Sequence, residues 1–195
     1  MKKPFKFLIA GLVALVVGGT IGYFTVDPML NLITNMSRVE NGPWSANLAV
    51  GGTSANPYLR AFVAEHGLLA LTKSETIYFS AEVDDNGEPL LGNCDYRIEG
   101  KAPDTRWWSI TAYGPDDFLI PNEQRRYSCG CTEMKLEPDG SFSIYLSRTP
   151  KEGNCLATGE AETVIVMLRL YNPGQAYYER PDTVELPQII KEGCK

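Results

Sequence analysis

The chain has 195 residues, a formal net charge of −6, and a composition that is 44% hydrophobic and 22% charged. This length accommodates one domain with an appendage. When the three N-terminal lysines are set aside, 15 basic and 24 acidic residues remain, a formal charge of −9. Nucleic acids and anionic membrane surfaces require clustered lysine and arginine, so we expect neither nucleic acid nor an anionic lipid surface as a partner.

The first segment has the features of a membrane anchor. Phe7 to Val26 contains 20 residues without a charge and follows Lys2, Lys3 and Lys6. At about 1.5 Å per residue this run spans about 30 Å, the thickness of a bilayer core. The lysines favour a cytoplasmic N-terminus. We predict that residues 1–26 form a cytoplasmic stub and a single-pass signal anchor in the inner (cytoplasmic) membrane, with the remainder in the periplasm.

Cleavage of this segment as a signal peptide is the alternative. The apolar region of a signal peptide usually has about 7–15 residues and precedes a cleavage site of small residues. The apolar run here is longer, and Gly22 to Val26 offers no such site. Gly18 and Gly19 resemble a cleavage site of small residues only weakly, so we favour the uncleaved anchor.

The five cysteines all follow the anchor: Cys94, Cys129, Cys131, Cys155 and Cys194. Disulfides are the default in an oxidising compartment, and an odd count allows at most two bridges and leaves one thiol. Their spacing does not establish which cysteines pair. A metal site has little support because histidine is nearly absent and no C-x-x-C pair occurs, so we expect no metal and no cofactor.

Residues 27–55 carry little pattern. Residues 28–36 could form a short helix, but Glu40 to Pro43 and Gly51 to Ser54 are rich in residues that break helices and form loops. We predict a linker that lies against the domain, with Trp44 as a candidate packing anchor.

A short helix is predicted next, with Ser54 or Asn56 as its cap and Pro57 at its first position. Apolar residues and one histidine then recur at helical spacing: Leu59, Phe62, Val63, His66, Leu69 and Ala70. His66 is the only histidine, and its apolar surroundings favour a packed or capping residue over a catalytic base.

From Thr76 the sequence alternates with period two, as in strands. The predicted strands are Thr76–Val83, Cys94–Glu99, Arg106–Tyr113, Tyr127–Leu136, Ser141–Arg148 and Thr163–Tyr171. Residues 84–87 predict a turn rather than a calcium loop because the ligand spacing is absent. Residues 137–140 predict a hairpin turn, residues 150–162 a loop, and the tail with Pro181 and Pro187 an extended segment.

This series of strands favours a mainly β fold. We predict an antiparallel β-sandwich or jelly-roll-like domain over residues 56–195, with one short helix, preceded by a single N-terminal transmembrane helix. Arg106–Tyr113 carries bulky side chains on both faces, so we expect it to be a central strand that is covered on each side.

Seven segments after residue 55 carry a family resemblance. They are N-P-Y-L-R-A at 56–61, I-Y-F-S-A-E-V-D-D-N-G-E-P-L-L-G at 77–92, Y-R-I at 96–98, W-W-S-I-T-A-Y at 107–113, D-F-L-I-P-N-E-Q-R-R-Y-S at 117–128, D-G-S-F-S-I-Y-L-S at 139–147 and V-M-L-R-L-Y-N-P at 166–173. Together they resemble the domain-of-unknown-function family 1214, which is often found beside family 1254 in bacterial proteins. The resemblance covers roughly 120 of the 195 residues.

The resemblance implies an all-β, jelly-roll-type domain without an assigned activity. Members preceded by a single membrane helix resemble short envelope proteins that lack the companion 1254 domain, and this chain is similar to that variant. The cysteines depart from the family pattern, so the resemblance implies no pairing for them.

A polar corner is the best candidate ligand site, and its residues are Asn122, Arg125, Arg126, Tyr127 and Ser128. Its two arginines could clamp a carboxylate or a phosphate. In the alternative, which we favour, Asn122 holds the turn backbone and one arginine pairs with Asp116 or Asp117. Trp107 and Tyr113 are further candidates, since aromatic residues could line a sugar or lipid pocket, although aromatics at period two are more often part of the core.

Catalysis has little support in the sequence, because it has no G-x-S-x-G elbow and only one histidine. We therefore predict a membrane-anchored cell-envelope domain that acts as a non-catalytic binding domain or an accessory subunit of a membrane complex. Gly18 and Gly22 would allow close packing with a membrane-protein partner. The alternative is an envelope enzyme that acts on a carbohydrate or another small molecule at the Asn122–Ser128 corner.

Overall fold

The computed structural model describes residues 3–53, 55–65 and 70–194. Within these ranges the chain forms three helices and ten strands. They are α1 (Lys3–Met36), β1 (Arg38–Asn41), β2 (Trp44–Asn47), α2 (Pro57–Glu65), β3 (Thr76–Ala81), β4 (Cys94–Lys101), β5 (Thr105–Tyr113), β6 (Ser128–Gly130), β7 (Ser141–Ser147), β8 (Asn154–Ala157), β9 (Ile165–Pro173), α3 (Ala176–Glu179) and β10 (Gln188–Cys194). His66, weighed above as a catalytic base, and Ser54, weighed as a helix cap, lie outside the described residues.

The strands form two sheets that face each other across an apolar core. The larger sheet has six antiparallel strands in the order β1-β2-β3-β9-β5-β6, and the smaller has the order β10-β4-β7-β8, in which β7 and β8 are parallel. Both sheets supply side chains that are at most 1% exposed: Phe79, Ile110, Leu168, Ile98, Ile144 and Leu146. The rings of Trp108 and Phe142 meet between the sheets, with centroids 4.7 Å apart. The predicted mainly β fold is confirmed.

Period-two alternation explains the long strands. In β9, Val166, Leu168 and Leu170 are fully buried, whereas Arg169 and Tyr171 point to the opposite face and are half-buried. In β5, every residue from 108 to 112 is buried, as expected for a strand that is covered on both faces. The two central positions of the larger sheet are held by β3 and β9, so β5 lies one position further toward the edge than predicted.

Helix α1 is long and apolar enough to cross a membrane, and its apolar window is not buried against the rest of the described chain. It continues through Pro28 to Met36, so it extends about 15 Å beyond the predicted membrane span. At this end Leu30 is buried, and the Thr34 carbonyl accepts a hydrogen bond from Asn47 Nδ2 at 3.2 Å. The last turns of α1 therefore contact the β-domain directly.

The segment predicted as a linker contributes two strands to the larger sheet. β1 pairs with β2, and β2 pairs with β3 at its free edge. Trp44 is 1% exposed, and its indole Nε1 donates to the Pro187 carbonyl at 2.6 Å. Residues 38–47 are thus part of the folded domain, which corrects the linker prediction for 27–55. Each strand has four residues, too few to show an alternating pattern in the sequence.

The prediction for residues 127–140 is wrong in two respects. β6 ends at Gly130 because the amides of Glu133 and Met134 turn back onto the Gly130 carbonyl, each at 3.0 Å. The turn at 137–140 forms, since Gly140 N donates to Glu137 O at 2.9 Å. However, β6 pairs with β5 and β7 pairs with β4, so this turn connects the two sheets and does not close a hairpin.

Two further strands replace the predicted loop and extended tail. The segment 150–162 contains β8, which pairs in parallel with β7. The tail contains α3 and β10, and β10 pairs with β4. Ile189 of β10 is fully buried, so the tail closes one end of the core.

Cys94 and Cys194 form a disulfide that joins β4 to β10, where the two residues lie opposite each other in the strand register. Cys129, Cys131 and Cys155 are free thiols. Of the two bridges that the cysteine count allowed, the structure therefore contains one.

Candidate functional site

A groove runs over the outer face of the larger sheet, which faces away from the core. It encloses a cavity of about 860 Å³, within the range of about 300–1,000 Å³ that is usual for small-molecule sites. Its floor is formed by β3, β9 and β5, and its walls include the end of α1, helix α2 and the loop after β5. Residues that were distant in sequence meet here because β9 lies between β3 and β5.

Arg169 is the cation on the floor of this groove. It lies opposite Tyr78 on one side and Ser109 on the other. Its Nη1 donates to Thr111 Oγ1 at 2.8 Å, and its Nη2 donates to the Tyr113 hydroxyl. The guanidinium carbon also lies 5.3 Å from the centroid of the Tyr113 ring, within cation–π range. The arginine is therefore held in one orientation by β5.

Phenol groups surround the arginine. Tyr78, Tyr113 and Tyr171 all line the cavity and are half-buried. Burial raises the pKa of the Tyr78 phenol, and the neighbouring Tyr171 adds to this rise while Arg169 opposes it. The Tyr78 hydroxyl consequently remains protonated at neutral pH and can donate a hydrogen bond.

The acidic residues of the groove lie toward its other end. Glu82 follows Tyr78 by four positions, about 13 Å along an extended strand, and Asp117 belongs to the loop after β5; both line the cavity. Arg38 also lines it and contacts Glu40 at 3.8 Å near solvent. The groove thus carries charged groups of both signs, and Glu82 lies about 13 Å along the strand from Tyr78, the residue opposite Arg169.

The polar corner predicted from the sequence lies elsewhere, between β5 and β6. Asn122 Nδ2 donates to the carbonyls of Ile120 at 3.0 Å and Arg126 at 3.4 Å, and its Oδ1 accepts from the Arg126 amide at 3.0 Å. The side chain therefore holds the turn backbone together. Arg125 adopts a left-handed conformation with φ of 54°.

Both arginines of the corner are exposed. Arg126 Nη1 donates to the Gly153 carbonyl at 3.3 Å, and in the described chain no ion pair joins either arginine to Asp116 or Asp117. A second cavity of about 610 Å³ adjoins them and is also lined by Ser128 and Cys129. Whether this corner binds a ligand stays a prediction.

The two aromatic candidates separate in the structure. Tyr113 belongs to the groove, as described above. Trp107 lies on the same face of the sheet, where its ring packs edge-on against Tyr171 with centroids 5.3 Å apart. It does not line the groove or the corner cavity. The tryptophan therefore supports the floor of the groove from beside it.

Arg169 was missed in the sequence because its strand reads as almost continuously apolar. The signal was present, since a charged residue within V-I-V-M-L-R-L-Y is unusual for a strand at the centre of a sheet. The contacts of Arg169 with β5 depend on a strand order that the sequence pattern does not specify.

Cys129 offers a test of the geometry around β6. Burial raises the pKa of its thiol to about 11, and the nearby Cys155 adds to the rise. Less than about 1% is thiolate at pH 8, so iodoacetamide should alkylate Cys129 about 100-fold more slowly in the native chain than after unfolding in urea. Timed alkylation of a Cys131→Ser variant, followed by peptide mass spectrometry, measures this. Equal rates in both states would contradict the buried environment.

The family model described as "Protein of unknown function (DUF1214)" matches residues 75–175. The match begins at β3 and ends after β9, so β1, β2 and β10 lie outside it. No curated protein matches the sequence significantly.

Two solved structures are similar to this chain. The VPA0106 protein from Vibrio parahaemolyticus has 28% sequence identity and a TM-score of 0.59, over 71% of this chain and 36% of its own. An uncharacterized protein from Burkholderia cenocepacia has 23% identity and a TM-score of 0.40, over 61% of this chain and 29% of its own. The chain therefore spans about a third of the length of each of these proteins.

Proposed function

The chain belongs to the DUF1214 family of proteins of unknown function, and we propose that it is a membrane-anchored cell-envelope domain that binds a small organic ligand without chemical turnover. The groove on the larger sheet carries this proposal. It has the volume of a small-molecule site and combines apolar walls with a few fixed polar groups. Its central cation is an arginine, a permanent cation that suits binding better than proton transfer.

The position of the groove supports a role near the membrane. Thr34 and Asn35 line it, and they belong to the last turn of the same helix that we propose to cross the bilayer. They lie about 12 Å along the helix axis from Val26, the end of the proposed span. The anchor thus holds a ligand in the groove close to the lipid surface. In this proposal the anchor lies in the inner membrane and the domain lies in the periplasm.

Membrane attachment gives a direct test. We expect the full-length chain to remain with the membrane after carbonate washing, because about 20 apolar residues suffice to span a bilayer. A chain that starts at Ser37 keeps β1 and β2 and should appear in the soluble fraction. Recovery of the full-length chain in the soluble fraction would contradict the anchor.

Ligand binding can be tested on the full chain with a groove-filling variant. Ser80→Trp places an indole into the cavity that Ser80 lines. We expect native mass spectrometry of gently extracted wild-type protein to show a bound small molecule that the variant lacks. Ser143→Trp is the matched control, since Ser143 lies on the outer face of the smaller sheet. The proposal fails if all three proteins carry the same molecules, or none.

A membrane-protein partner would make the chain an accessory subunit. The face of α1 that carries Gly18 and Gly22 is open, since nothing lies within 4 Å of a Cβ built at either glycine. Small residues at this spacing permit close helix packing in a bilayer. Sizing in mild detergent would show a larger assembly that Gly18→Leu disrupts; a lone monomer in every detergent argues against the partner.

The corner from Asn122 to Ser128 provides a second candidate, an enzyme site for a carbohydrate or another small molecule. Its support is the adjoining cavity and the left-handed backbone of Arg125, because residues in sparsely populated conformations cluster at functional sites. The paired variant Arg125→Gln and Arg126→Gln would abolish turnover at this site and leave ligand retention in the groove unchanged.

A further inference from the structure

We propose that the groove binds a small organic carboxylate, with the guanidinium of Arg169 as the group that recognises the carboxyl. The inference rests on the proposed function, because it names the class of ligand for the same groove. It begins from the position of Arg169, a charged residue on the strand at the centre of the larger sheet. A half-buried cation there needs partners that compensate for lost water.

The protein supplies only some of those partners. A guanidinium has five N–H donors, and two of them bind Thr111 and Tyr113. The remaining donors, including Nε–H, have no hydrogen-bond partner among the described residues, and no carboxylate in this part of the chain lies within 4.0 Å of Arg169. The arginine therefore retains donors for a group that enters the groove.

The bonds that Arg169 does make fix it in place. Thr111 is 3% exposed, and its hydroxyl donates to Ser128 Oγ at 3.0 Å. The Tyr113 ring lies beside the guanidinium as well as bonding to it. Because the arginine is already oriented, a ligand need not order it, and this lowers the entropic cost of binding. A planar guanidinium matches the geometry of a carboxylate.

The charges in the groove favour a single negative charge on the ligand. Arg169 is the cation on the described floor of the groove, and Arg38 at its wall already contacts Glu40 at 3.8 Å. Phosphate sites, by contrast, usually gather several basic groups or backbone amides. Glu82, which lines the groove just after β3, would repel a second negative charge on the ligand. The lining also includes Phe62, Ile165 and Met167, so an apolar body can follow the carboxyl group.

Matched ligand pairs test this inference on the full chain in a non-ionic detergent. The probes are acetate, hexanoate, benzoate and phenylpropionate, each compared with its neutral amide at up to about 10 mM by calorimetry. Phenyl phosphate is added as a competing anion. Arg169→Gln and Arg169→Lys are the variants. Arg148→Gln is the control, because the exposed Arg148 lines neither cavity and pairs with Glu160 at 3.5 Å. Thermal melting verifies that each variant is folded.

We expect at least one larger carboxylate to bind about tenfold or more tightly than its amide. Arg169→Gln should remove this preference, Arg169→Lys should retain part of it, and Arg148→Gln should leave it unchanged. Equal binding of acid and amide overturns the carboxylate assignment, and so does an Arg169→Gln variant that keeps the full preference for the acid. Either result still leaves the groove as a ligand site. Tighter binding of phenyl phosphate than of every carboxylate also overturns the carboxylate assignment. If no probe binds, the carboxylate assignment is overturned as well. The proposed function is then decided separately, by whether wild-type protein retains a small molecule that Ser80→Trp lacks.

Discussion

Reduction of the Cys94–Cys194 bridge should lower the free energy of unfolding by about 2–5 kcal/mol. The bridge closes a loop with a sequence separation of 100 residues, and loops of this length give the larger entropic effects on the unfolded chain. For a chain of this size the melting temperature should fall by roughly 5–15 °C. Circular dichroism melting of the full chain with and without dithiothreitol measures the change.

The paired serine variant of Cys94 and Cys194 should reproduce this loss, and Cys131→Ser should not, because Cys131 is a free thiol. Hydrogen exchange adds a local readout. β10 is an edge strand that the bridge fixes to β4, so its amides should lose protection before those of β9. An unchanged melting temperature under reductant would show that the bridge contributes little to stability.

Trp44→Ala should cost about 3–5 kcal/mol, the usual loss for a large aromatic side chain removed from a core. Trp44 is 1% exposed, and its indole is the hydrogen-bond donor to the Pro187 carbonyl. The substitution therefore opens a cavity and leaves a buried carbonyl without its partner. It also tests whether residues 38–47 belong to the folded domain, since a linker residue would tolerate the change.

Two variants separate these contributions. Trp44→Phe keeps an aromatic ring but removes the donor, and should cost about 1–3 kcal/mol. Trp107→Ala removes the same residue type from the half-buried outer face of the sheet, so its cost should be smaller. Thermal melting of the full chain in detergent ranks the three variants. A loss at Trp44 no larger than at Trp107 would contradict the buried position.

The long strands were predictable because each buries one face. Alternation identified β3, β5, β7 and β9 to within a few residues. Of the two predicted caps of α2, Ser54 and Asn56, the second caps the helix, since its Oδ1 accepts from the Leu59 amide at 2.9 Å. The strands that were missed are short or lie at sheet edges. β8 has four residues in the predicted loop, and β1 and β2 have four each. Such segments bury too few positions to leave a periodic pattern.

Pairing was harder to predict than strand position. The residues of 137–140 specify a reversal of the chain, but they do not specify whether the next strand joins the same sheet. The same limit applies to the candidate site. Tyr113 was named among the candidates and lies in the groove, whereas Arg169 reaches it only because β9 pairs with β5. Asn122 was assigned its structural role correctly, since turn closure by an Asn side chain is a local interaction.

The place of β9 between β3 and β5 has a consequence for how the protein is made. β3 and β5 are synthesised well before residues 165–173, and until then each lacks one of its two neighbours in the larger sheet. Pairings so distant in sequence give a high contact order, which slows folding, and waiting strands with open edges are prone to aggregate. The nascent chain therefore stays open until its last third has been made. The edges of β3 and β5 that face β9 thus stay unpaired until residues 165–173 have been made, so a chain truncated before them should be prone to aggregate.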